Sequence, residues 1–80
     1  MEILKLHQKI RAVRNAKHFS QTEVAKRINM SITTYNMKEM GYRPIRSEEF
    51  EQIALALEEK PEIFYAENFH LKWNTELSTL

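Results

Sequence analysis

The 80-residue chain is predicted to fold as one compact all-α domain of five helices, and three observations carry that prediction. Apolar residues recur at the three-to-four spacing of helices along most of its length. Two serines, Ser20 and Ser31, stand where helix caps are needed. The only glycine and one of the two prolines fall together in Gly41-Tyr-Arg-Pro-Ile-Arg46, which is the one clear interior loop. Eighty residues leave room for a single small domain, placed at residues 1–66, followed by a tail at residues 67–80.

The first helix is expected from about Leu6 to Lys17, with Leu6, Ile10 and Val13 on one stripe and Arg14 at its edge. Ser20 with Glu23 three residues later forms a capping box that starts the second helix. Its inward face carries Val24, Ala25 and Ile28, and Asn29, which tolerates the left-handed conformation, stops it. Ser31 caps the third helix, where Tyr35 and Glu39 point inward. After the loop, Ser47 is expected to cap a fourth helix with Glu48 and Glu49 in its first turn and Phe50, Ile53, Ala54 and Leu57 as its core face. Pro61 suits the first position of a short last helix to about Ala66. In the tail, Phe69-His-Leu-Lys-Trp73 alternates apolar and polar residues, which suggests a short strand or an extended arm.

Two short capped helices joined by a tight turn are the arrangement that lays a second helix in the DNA major groove. On the third helix, Ile32, Thr33, Asn36, Met37 and Met40 share a face of about 140° at 100° per residue. That face carries no charge, unlike an ordinary solvated face, so something is expected to dock there. Charge is also divided along the chain. Residues 1–46 hold ten Lys or Arg against three Glu, a balance of +7; residues 47–80 hold two Lys against eight Glu, a balance of −6. The basic half contains the two capped helices, as a partner of polyanionic character would require.

Residues from about Ile10 to Phe64 resemble the Cro/C1-type helix-turn-helix family of phage repressors and xenobiotic-response-element regulators. The likeness rests on Ile10, Arg14, Phe19-Ser20-Gln21, Val24-Ala25, Ile28, Ser31, Tyr35, Glu39-x-Gly41, Pro44 and Ile53-Ala-Leu-Ala-Leu57. It implies a lambda-repressor-like domain that binds double-stranded DNA in a sequence-specific way, a transcriptional regulator of repressor type acting as a homodimer in the cytoplasm. The resemblance further implies that Gln21 grips the DNA backbone and that Arg14 pairs with Glu39 to lock the recognition helix to the first helix. Ser31, Lys38, Tyr42, Arg43 and Arg46 are the other expected phosphate contacts. Ile32, Thr33, Asn36 and Met37 are expected at base edges, Asn36 on adenine and the others on thymine methyl groups. The Met-rich face leaves a second reading open, a protein-interaction module or antitoxin on the same fold.

Leu55, Phe64, Tyr65, Phe69 and Trp73 are candidates for the dimer interface, though a folded-back tail could cover some of them instead. No cofactor or small-molecule ligand is implied. The chain lacks cysteine, and His7, His18 and His70 lack ligand spacing, so no metal is expected. Neither a glycine-rich phosphate loop nor a nucleophile elbow is present, so no enzymatic activity is expected. No apolar run approaches the ~18 residues of a membrane span, and the start of the chain does not read as a signal peptide.

Overall fold

The structure is a computed structural model and describes residues 4–65. Its elements are α1 (Leu6–Ala16), α2 (Gln21–Arg27), α3 (Ile32–Glu39), α4 (Ser47–Ala56) and a 3-10 helix (Pro61–Tyr65). No strand occurs among the described residues, and the arm expected near Phe69–Trp73 lies outside them. The fifth predicted helix is therefore a 3-10 helix and not an α-helix. Its Ile63 N–H reaches back three residues to the Lys60 carbonyl at 3.2 Å. Five residues close too few four-residue turns to offset the cost of nucleating an α-helix, and short segments settle into the tighter form.

The starts of the helices follow local chemistry. Ser20 accepts the Glu23 N–H at 3.0 Å while Glu23 accepts the Ser20 N–H at 2.9 Å, closing the expected capping box. Ser31 accepts the Thr34 N–H at 3.1 Å. At α4 the expected cap is corrected by one residue. Arg46 occupies the capping position and Ser47 is the first helical residue. Glu49 rather than a serine hydroxyl satisfies the terminus, accepting the Arg46 N–H at 3.0 Å.

All four α-helices stop in the same way, on one residue with positive φ: His18 (63°), Asn29 (57°), Gly41 (87°) and Glu58 (61°). The residue after each sends its N–H five positions back, from Phe19 to Arg14, Met30 to Ala25, Tyr42 to Met37 and Glu59 to Ala54, at 2.8–3.1 Å. These bonds satisfy carbonyls that a helix end otherwise leaves open. Asn29 and Gly41 are recognisable stops in the sequence. His18 and Glu58 are not, because a side chain in this region costs about 1–2 kcal/mol and is adopted only where packing demands it.

The core lies where α1, α2, α4 and the 3-10 helix converge behind α3. Ile10, Val13, Val24, Tyr35, Ile53, Leu57 and Phe64 are all buried, each apolar side chain contributing about 1.5–3 kcal/mol. Phe64 is thus corrected from interface candidate to core. The turn after Pro61 folds it back onto α4, where its ring meets Phe50 edge-on at 5.5 Å. The Lys9 ammonium also fastens the Phe64 carbonyl at 2.8 Å. α3 packs against α1 and α2 and leaves its remaining side outward.

Candidate nucleic-acid interface

The position of α3 is set by Glu39, which is buried at its C-terminal end. Arg14 of α1 meets this carboxylate with two hydrogen bonds, Nε to Oε2 and Nη2 to Oε1, each 2.8 Å. Its third branch, Nη1, donates to the Phe19 carbonyl at 2.7 Å, so one guanidinium ties α1, the α1–α2 turn and α3 together. Such planar, two-pronged pairing is specific to arginine.

The network continues toward the surface. Gln21, the first residue of α2, donates Nε2 to Glu39 Oε1 at 3.1 Å and accepts Asn36 Nδ2 at 3.0 Å on its own oxygen. Gln21 thus sits between the buried ion pair and the outward face, a link that residue spacing does not reveal. One N–H and the carbonyl oxygen of the Asn36 amide remain available, which is the donor and acceptor set that an adenine edge accepts. Tyr35 is fully buried, with its hydroxyl turned toward the same carboxylate and guanidinium but in no well-formed hydrogen bond to either.

Burial alone would raise the Glu39 carboxyl. The Arg14 guanidinium, the Tyr35 hydroxyl and the Gln21 amide together outweigh it and hold the group below the usual carboxylate range. Burial pushes the Tyr35 phenol strongly up, so it stays neutral. Glu49 is also held low, first by the Lys38 ammonium and then by the Arg46 N–H. Both carboxyls are depressed in the folded state, so their stabilisation is complete above the ordinary value near ~4.3 and is lost as pH falls through their lower folded values. Thermal unfolding should therefore show a level midpoint from pH 7 to 5 and a falling one below about pH 4. A midpoint that already drops near pH 6 would point to a histidine instead.

The outward face of α3 carries the expected residues. Ile32 and Thr33 are exposed, Asn36 and Met37 half-buried, and Met40 is exposed with the Arg11 guanidinium against its sulfur at 3.6 Å. Tyr42, Arg43 and Arg46 are exposed in and beside the α3–α4 loop. Ser31 is exposed, but its hydroxyl is engaged, accepting from the Thr34 N–H and donating to Thr34 Oγ1 at 2.9 Å.

Lys38 is corrected. It is buried, and its ammonium bonds the Glu49 carboxylate at 2.8 Å and the Pro44 carbonyl at 3.1 Å, so it holds the loop against α4 with its charge already paired. The expected polarity of +7 against −6 is reduced for a related reason. Lys17 pairs with Glu59 at 2.9 Å and Arg27 with Glu58 at 3.6 Å, so the acidic half neutralises part of the basic half across the fold. Arg27 also lies over the Phe19 ring, 4.5 Å from its centroid. Lys5, Arg11, Lys26, Arg43, Arg46 and Lys60 are exposed and outside these ion pairs, and of these Arg11, Arg43 and Arg46 lie beside α3 or its exit loop.

Residues 10–64 match the family model for the helix-turn-helix, over half of the chain. The chain belongs to the Cro/C1-type helix-turn-helix family. Membership in this helix-turn-helix family implies a DNA-binding transcription regulator, and the family is generally non-enzymatic. Neither a curated protein nor a solved structure matches the chain. Among the described residues, no helix is long and apolar enough to cross a membrane, and no group of three His, Cys, Asp or Glu is placed to hold a metal.

Proposed function

We propose that this helix-turn-helix protein is a sequence-specific repressor of phage or mobile-element type that binds operator DNA as a homodimer. The observation that carries the reading is the continuous chain Arg14–Glu39–Gln21–Asn36, which fixes the α3 face from behind. An α-helix with its side chains is about 10–12 Å across, a cross-section that a major groove ~12 Å wide admits. Ile32, Thr33, Asn36 and Met37 are the base-reading residues, and Gln21, Ser31, Tyr42, Arg43 and Arg46 line the route of the backbone. A single such domain reads only a few base pairs, so a two-fold dimer would read half-sites about one DNA turn apart. Leu55 and Tyr65, both more than two-thirds exposed, are the described candidates for the dimer contact. Phe69 and Trp73 lie outside the described residues.

Selection of bound duplexes from a random DNA pool tests the reading directly. One enriched motif of two related halves supports it. The uncharged, Met-bearing face and the withdrawal of Lys38 favour a second reading, a protein-interaction module or antitoxin, and a pool without enrichment would favour that one. Asn36→Ala should relax preference at one position of each half-site at a cost of about 1–3 kcal/mol, while Arg43→Ala should weaken all sequences alike. An unchanged selected motif for Asn36→Ala would remove it from base readout.

Salt dependence gives an independent measure. If three basic side chains per protomer meet phosphates, a dimer neutralises about six, and affinity should fall about 10³-fold between 50 and 200 mM salt. Lys38→Gln should leave that slope unaltered while lowering stability, because its charge is spent on Glu49. Arg43→Gln should reduce the slope by about 0.9 per protomer.

A further inference from the structure

The first turn of α1 and the α3–α4 loop enclose a cleft of about 370 Å³ lined by Leu6, His7, Lys38, Tyr42, Arg43 and Ile45, among others. The His7 imidazole stands where a side chain on residue 41 would be. A Cβ built on Gly41 would lie 2.7 Å from Nε2 and 2.8 Å from Cε1 of that ring. Gly41 is therefore demanded twice, by its φ of +87° and by the ring pressed against it.

Neither ring nitrogen of His7 is hydrogen-bonded to another described residue, and the same holds for the Tyr42 hydroxyl and the Arg43 guanidinium. Three side chains with donor capacity thus line one cleft without hydrogen-bond partners among the described residues. Among the described residues, no carboxylate lines it. The charged groups that line the cleft with the imidazole are Lys38 on α3 and Arg43, beside the Tyr42 hydroxyl, from the loop; the Lys38 ammonium is bound to the Glu49 carboxylate of α4, and Lys5 and Arg11 are the nearest charges along the segment that carries His7.

We propose that this cleft seats a phosphate of the DNA backbone and that His7 completes its cradle with Tyr42 and Arg43. The proposal rests on the DNA-binding reading above. A phosphate diester offers acceptors to several donors at once, and a protonated imidazole adds a charge-assisted bond as well as a positive charge. His7 then does two things, propping the loop that leaves α3 and holding the strand that runs past it.

The two roles separate by pH, since a prop acts alike in either protonation state. Binding of the selected duplex is measured by fluorescence anisotropy at pH 8.0 and 5.5 for the wild type, His7→Gln and His18→Asn. The wild type should gain about tenfold per protomer at pH 5.5, the worth of one modest charge-assisted bond, or about a hundredfold for the dimer. Its salt slope should also steepen by about 0.9 per protomer. His7→Gln should lose both changes and His18→Asn should keep them. A His7→Gln protein that retains the wild-type pH response, or that is weakened equally at both pH values, overturns the seat. So does a wild type with no pH response.

Should His7→Gln fail to fold, the imidazole resonances of the wild type decide the question. Displacement of the His7 ring signals by the duplex supports the seat, and signals that do not move overturn it. Displacement by inorganic phosphate but not by duplex identifies a free-anion site and overturns the assignment to DNA. A wild type that binds no duplex at either pH overturns the DNA-binding reading itself, whereas each other negative result overturns the seat alone.

Discussion

Arg14→Ala should destabilise the domain by about 3–5 kcal/mol, the penalty for leaving a buried carboxylate without its partner. Glu39 is 2 % exposed, and removing Arg14 deletes both of its strongest hydrogen bonds. Gln21 alone cannot replace them, since it supplies a single neutral N–H at 3.1 Å. In the variant, burial then dominates and the Glu39 carboxyl rises above its ordinary value. Chemical denaturation at pH 7 measures the loss. A cost below about 1 kcal/mol would mean that water reaches Glu39 and that the pair behaves as a surface ion pair.

Replacing the whole pair should separate folding from function. Arg14→Leu with Glu39→Leu leaves no stranded charge, and buried pairs exchanged for apolar residues are often neutral or better in stability. The double variant should therefore regain most of the folding energy that the single one loses. It should not regain DNA affinity, because Gln21 would have lost the carboxylate that anchors its amide and Asn36 would have lost its fixed orientation. Recovery of both would show that the pair serves stability only.

What could be seen in the sequence was what short-range rules govern. The cap at Ser20, the stop at Asn29, the turn at Gly41 and the inward faces of α1 and α4 each depend on residues within one helical turn. The residues of the α3 face follow from the helical repeat alone. What could not be seen depends on how the helices cross. Gln21 and Asn36 are fifteen positions apart, and no local pattern announces that their amides meet. Lys38 reads as a surface cation until α4 brings Glu49 within 2.8 Å of it. The ion pairs Lys17–Glu59 and Arg27–Glu58 likewise join the two charge halves in space, so a count along the chain overstates the field that DNA would meet.

Phe64→Ala should cost about 3–5 kcal/mol, as deletion of a wholly buried aromatic ring does. Phe64 has no exposed surface, and its edge-on contact with Phe50 adds to the burial. A domain of this size holds only the lower part of the usual 5–15 kcal/mol. The variant should therefore be largely unfolded near room temperature or have a greatly lowered midpoint. The position at the end of the folded unit gives the result a second use. Loss of a core residue lowers stability by the same amount at every protein concentration, whereas loss of a dimer contact costs most at high concentration and fades on dilution, where the wild type dissociates as well. Denaturation at two concentrations about a hundredfold apart distinguishes them. Leu55→Ala and Tyr65→Ala provide the contrast, because both side chains are mostly exposed, although the Tyr65 ring lies 5.4 Å from that of Phe50. Each should cost little in the monomer, and any loss that grows with protein concentration would place the subunit contact on that side chain. A Phe64→Ala protein of nearly wild-type stability when dilute, but with a deficit that grows with concentration, would return Phe64 to the interface and make the 3-10 helix part of the dimer.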